Sequence, residues 1–328
     1  MHNLPLDMQP VRFGVALPNF TTAGSSPDID EIVGYARRAE ELGLDSAWVW
    51  DHVLLGSRRP FPVLDSLSTL AALSVRTERL RLGTGVLVLP LRNPTVLAKV
   101  TASIDQMSRG RLTLGVAAGW YEKEFEAVGV PHAERGRVFL ENLRVLYQLW
   151  TGEPVNGEEG PYRFRNAVMV PPPHQRPRPQ VLIGGYVDAV LRRAARHSDG
   201  WLNYFYTAAS FKRGWTRVLE HAAAAGRDPD ELTNVSELVI CVAESYEEAD
   251  RRAREFIATH FDIPAWSDCS PDSAVRGTPE DCAEQLAEQV EAGVQHVVFV
   301  PERYANDQLE AIAAEVIPRL RRHLGVPA

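Results

Sequence analysis

The sequence predicts an α/β fold, a (β/α)8 TIM barrel with inserted excursions near 152–180 and 262–277. Three observations lead there. Short, nearly continuous apolar runs alternate with helix-period segments along all 328 residues. Runs of that kind are strands buried on both faces, as in a parallel sheet covered by helices. The strand–helix unit recurs eight times, the number a closed barrel needs. An open doubly wound sheet would need a Gly-rich turn into a helix after an early strand, but Gly83-Thr84-Gly85 runs on into Val86-Leu87-Val88. One domain over 1–328 is expected.

The first strand is VRFGVALP (11–18), followed by Ile29, Ile32, Val33, Ala36, Ala39 and Leu42 at helical spacing, with Gly43 as the stop. SAWVWD (46–51) is the second strand and precedes a helix around Leu67–Val75. RLRLGTGVLVLP (79–90) is the third, and Pro94 suits the first turn of its helix. RLTLGVAAG (111–119) is the fourth, followed by acidic residues and a long helix through Val138–Trp150. Residues 152–180, rich in Gly, Pro and Arg, break the rhythm as a hairpin or excursion. QVLIGG (180–185), DGWLNYF (199–205), SELVICVAES (236–245) and HVVFVP (296–301) are strands five to eight, each followed by a helix. The second irregular stretch, 262–277, precedes the helix from Thr278.

Composition narrows the class. Hydrophobic residues at 45% and charged residues at 24% suit a globular enzyme. A formal charge of −8 and a pI near 5.7 argue against nucleic acid as a partner. No apolar stretch reaches the ~18 residues of a membrane helix, and the start lacks the regions of a signal peptide. Cys241, Cys269 and Cys282 are odd in number and widely spaced, which suits reduced thiols and a cytoplasmic location. The motifs HExxH, CxxC and GxSxG are absent, so neither a metal centre nor a serine nucleophile is expected.

In a barrel the chemistry sits at the C-terminal strand ends. Those ends supply Asn19, Asp51-His52, Gly85 to Pro90, Gly119-Trp120, Gly184-Gly185, Asn203-Tyr204, Glu237 and Glu302. Gly in a strand often marks a bulge or a close backbone approach to a ligand. Gly184-Gly185, between strand and helix, offers bare amides to a phosphate, or simply makes a tight turn. Asp51 either serves the ligand or caps a loop; His52 either moves protons or sits on the rim. Glu122 and Glu124 complement the positive end of the next helix. Glycines, aromatics and one histidine without a strong nucleophile suit a cofactor that brings its own chemistry.

RFGVALPNF, ELGLDSAWVWDH, RLRLGTGVLVLPLRNP, DQMSRGRLTLGVAAGWYEKEF, RPQVLIGG and SDGWLNYF resemble, in order, the signatures of bacterial luciferase-like flavin and deazaflavin oxidoreductases. The SAWVWDH and GVAAGWYEKEFEAVGVP blocks look most like the coenzyme F420-dependent branch. The resemblance implies a ring resting against Gly85-Val86, with that peptide bond cis as a bulge behind the ring. It also implies a phosphate near Gly184-Gly185, cofactor contacts from Asp51 and Gly119, and His52 at the reacting face, with Asp51 orienting the imidazole. A histidine titrates near operating pH and suits proton traffic beside hydride transfer. Some similar F420-dependent dehydrogenases carry a glutamate after the glycine that ends strand four, where this chain has Trp120. An indole is no acid or base, so Trp120 either walls an apolar substrate pocket with Trp50, Tyr204 and Phe205 or packs under a loop.

The expected function is F420-dependent hydride transfer between the deazaflavin C5 and a small organic substrate. The alternative is an FMN-dependent monooxygenase that uses reduced flavin and O2. A separate reductase would supply the reduced cofactor, and a homodimer is the usual arrangement among similar proteins. A non-catalytic flavin-binding protein is the third class, and His52 with its aromatic surroundings argues against it.

Overall fold

In the computed structural model, residues 11–21, 25–56, 61–158, 160–260 and 271–325 are described. Arg58, Arg59, Cys269 and most of the 262–277 excursion lie outside them.

Strands β1 (Arg12–Ala16), β2 (Ser46–Val49), β3 (Arg81–Val88) and β4 (Leu112–Ala117) come first. The hairpin β5 (Val155–Gly157) and β6 (Phe164–Ala167) fills the first excursion. Then follow β7 (Gln180–Gly184), β8 (Gly200–Tyr204), β9 (Thr233–Val242), β10 (Val275–Gly277) and β11 (His296–Pro301). The main sheet runs β10-β9-β11-β1-β2-β3-β4-β7-β8, and a further β8–β9 pairing closes eight of these strands into a barrel. The expected barrel is the fold.

The interposed helices are α1 (Ile29–Glu41), α2 (Ser66–Ser74), α3 (Pro94–Met107), α4 (Glu122–Val128) and α5 (Arg135–Trp150). After these come α6 (Asp188–His197), α7 (Ala208–Ala224), α8 (Tyr246–His260) and α9 (Pro279–Glu291). The last is α10 (Asn306–Ala311), which continues through a π-turn into α11 (Ile317–His323). Start signals act locally. Asn93 caps α3 by accepting from Thr95 and Val96, with Pro94 in the first turn. Thr278 and Asp281 form a capping box on α9.

Two compact units emerge, one of residues 1–17, 34–48 and 182–328, the other of 18–33 and 49–181. In the second, Gln175 ties the 152–180 excursion to α3. Its backbone N–H and side-chain amide both donate to Asp105, at 2.9 and 2.7 Å. In the first, Trp201 stacks on Phe211 of α7 at 5.6 Å.

Three expectations shift. The seventh barrel strand starts at Thr233, three residues before the apolar run suggested. Asn234 is the reason: it reads as a polar break, yet its side chain and that of Gln295 exchange bonds with each other's backbone. Glu237 therefore lies inside β9, paired with Tyr204 and Val298, rather than at its end. Finally, the tail of the 262–277 stretch is ordered strand, with Val275 to Gly277 paired parallel to β9.

Candidate active site

In the second unit, β2 leaves its ladder at Trp50 and the chain turns outward. Asn19 holds this exit by donating to the Trp50 carbonyl and accepting the Trp50 N–H, at 2.8 and 2.9 Å. Phe20 packs on the Trp50 ring at 5.0 Å. Asp51 and His52 then point to different partners, as alternation along an extended chain requires.

Asp51 turns inward and is 3% exposed. Its Oδ1 accepts from Ser66 Oγ at 2.7 Å and from Arg92 Nη2; its Oδ2 accepts the Val88 N–H at 3.0 Å. Arg92 also bonds Asp65 at 2.9 Å, and the two carboxylates hold its guanidinium above the ordinary arginine range against the opposing effect of burial. The expectation that Asp51 orients the imidazole is corrected here.

The imidazole's partner is Glu124. His52 Nδ1 lies 3.0 Å from Glu124 Oε2, while Glu124 Oε1 accepts the backbone N–H groups of Val53 and Leu54, the latter at 2.9 Å. Glu124 is 1% exposed, although it stands in the first turn of a surface helix. Its helix is anchored by the next residue, Phe125, which is fully buried against Val88 and Leu91. The Trp120 ring meets His52 edge-on at 5.9 Å, so His52 and Trp120 do come together.

Gly119 makes the approach of α4 possible. Its φ is +80°, and a Cβ there would fall 2.6 Å from Val88 Cγ1 and 2.9 Å from the Phe125 ring. This glycine serves close packing.

The Gly85–Val86 peptide is cis, as expected. The β3–β4 register shifts between Thr84 and Leu87, so these two residues bulge out of an otherwise regular ladder. Val86 alone is half-buried while residues 82–85 and 87–90 are buried. A bulge with a partly exposed Val86 is a surface against which a flat ring can lie.

In the first unit, Gly184 ends β7 and Gly185 follows at a φ of +133°. The Gly185 carbonyl accepts from Trp201 Nε1 at 2.9 Å. The first turn of α6 already carries an acid, Asp188, which Arg217 and His221 each hold at 2.9 Å. Tyr204 receives Tyr186 edge-on, with ring centroids 4.9 Å apart, and the Tyr186 hydroxyl donates to the Tyr204 carbonyl at 3.2 Å. Phe205, at a φ of +59°, donates its N–H to the Glu237 carbonyl. Among the described residues neither oxygen of the Glu237 carboxyl has a hydrogen-bond partner, and burial pushes its pKa up to about 8.

Sequence reasoning missed Glu124 and Arg92 as partners of the Asp51-His52 pair. They lie 72 and 41 residues away along the chain, and no local pattern announces either contact.

The luciferase-like monooxygenase family model matches residues 11–268. An F420-dependent glucose-6-phosphate dehydrogenase of Amycolatopsis mediterranei is 27% identical, over 89% of this chain and 94% of that protein. The Nocardia farcinica protein of the same name is 30% identical over the same shares. Among solved structures, monooxygenase RslO1 from Streptomyces bottropensis superposes with a TM-score of 0.81 at 22% identity, covering 94% of this chain and 99% of that one. Its likeness establishes the fold. Among the described residues, no helix is long and apolar enough to cross a membrane.

Proposed function

The chain belongs to the luciferase-like monooxygenase family and is an oxidoreductase of that family; from that premise we propose that it is F420-dependent. It passes hydride between the deazaflavin C5 and a small organic substrate, acting as one catalytic domain over 1–328. The observation that carries this reading is the set of relatives named as F420-dependent enzymes, 27–30% identical over most of the chain.

The residues fit the group. The bulged Gly85-Val86 backbone suits a flat ring, and the only chemistry the ring must bring is hydride exchange at C5. His52 moves the accompanying proton, and Trp120 excludes water beside it with an apolar edge. Gly184-Gly185 is retained as the phosphate site. Glucose 6-phosphate itself is not adopted as substrate, because the residue after Gly119 is an indole, which is neither an acid nor a base at neutral pH.

Titration of the purified protein with F420 and with FMN, followed by absorbance and fluorescence, tests the reading. F420 should bind the more tightly. Micromolar FMN binding without F420 binding would transfer the chain to the FMN-dependent monooxygenases.

A further inference from the structure

Position in the sequence gives Glu124 an ordinary task, to complement the positive end of its own helix. Its carboxylate does something else. It is almost wholly buried, and it spends both oxygens on residues 52–54.

A carboxylate only accepts hydrogen bonds, and a neutral imidazole carries one N–H and one bare nitrogen. Oε1 is committed to two backbone N–H donors, and Oε2 faces Nδ1 of His52 at 3.0 Å. We propose that Glu124 is the positioning residue of the site: it holds His52 as the Nδ1–H tautomer and directs proton exchange through Nε2. The proposal rests on the role given to His52 above and deepens it.

Three consequences follow from the geometry. The two backbone bonds fix the 52–54 segment to the same carboxylate that orients the ring, so ring and loop are set together. The mount is stiff, since Phe125 is buried beside Val88 and Leu91 and Gly119 lets α4 sit close to β3. With deazaflavin bound as hydride acceptor, Nε2 would take the proton of a substrate hydroxyl while the hydride leaves the same carbon, and the imidazolium would have the Glu124 carboxylate on its other nitrogen. The electron pair leaves with the hydride, the proton stays on His52, and a carbonyl product remains. A buried acid behind a histidine, steering its tautomer and steadying its charged form, is a general device of acid–base catalysis.

The test is nitrogen-15 NMR of the imidazole rings in the full chain without cofactor, with the His52 signals assigned by their loss in His52→Gln. The parent protein should show His52 with Nδ1 protonated and Nε2 unprotonated at a pH where the ring is neutral. In Glu124→Gln that preference should be lost, and kcat should fall about 10–100-fold while KM and F420 affinity stay within about twofold. A parent His52 in the Nε2–H tautomer overturns the proposal without any variant. An unchanged tautomer in a folded Glu124→Gln overturns it as well. Failure of F420 to bind, with the tautomer as stated, would overturn the cofactor reading and leave the positioning role standing.

Discussion

Asp51 pins the end of β3: its Oδ2 accepts the N–H of Val88 at 3.0 Å, while Oδ1 takes Ser66 and Arg92. The residue beside it in sequence, His52, faces Glu124 instead. One dipeptide therefore divides its side chains between two sets of partners. Asp51 fixes where the strand carrying the Gly85-Val86 bulge ends, and His52 presents its ring.

Asp51→Ala should destabilise the protein. The Asp51 side chain is fully buried, and its removal leaves, among the described residues, the Val88 N–H and the Ser66 hydroxyl without an acceptor and Arg92 with Asp65 alone. Breaking a buried pair on one side costs about 3 kcal/mol or more. Urea unfolding measures it, and a midpoint equal to that of the parent would sink the expectation.

His52→Ala should lower turnover far more than it lowers cofactor affinity. General acid–base groups contribute on the order of 10²–10⁴-fold. With F420 bound as in the parent, undiminished activity on the true substrate would return His52 to the rim of the barrel.

The barrel was legible because parallel strands are covered on both faces and read as unbroken apolar runs, from VRFGVALP to HVVFVP. Where a strand buries polar residues the reading slipped. Thr233 and Asn234 belong to β9 although they look like loop, because Gln295 satisfies Asn234 from outside the strand. The site was half legible for a related reason. His52, Trp120 and the Gly85-Val86 bulge stand in local blocks that a sequence displays. Glu124 stands in such a block too, but its meaning depends on a contact 72 residues away, made only when the strands align. Hydrophobic periodicity carries no information about which buried acid a histidine will meet.

Gly184→Asp should weaken binding of F420 at low salt. Gly184 ends β7, and two residues of loop beyond Gly185 the first turn of α6 already carries the Asp188 carboxylate. Although the Gly185 N–H is spent on the Leu202 carbonyl at 3.4 Å, a second acid at this turn repels a phosphate and fills the space that a close approach requires. Fluorescence titration of the folded variant checks this. Equal affinity in variant and parent would move the phosphate to another part of the chain.

Glu237 should make stability depend on pH. Its carboxyl lies inside β9, 1% exposed, with no hydrogen-bond partner among the described residues, so desolvation is the cause of its raised pKa. The ordinary value is 4.5 and the folded value about 8, so the native state holds this proton more tightly than the unfolded chain does. Stability from this group is fully present below about 4.5 and drains away as pH rises to about 8, above which the slope vanishes. Glu237→Gln keeps the shape and cannot ionise. The variant should therefore lose less stability than the parent across that interval and exceed the parent's stability above it. Urea midpoints measured for both proteins through the interval decide the matter. Parallel profiles would mean that Glu237 ionises in the fold as readily as in the open chain, which would require a partner for its carboxylate in solution.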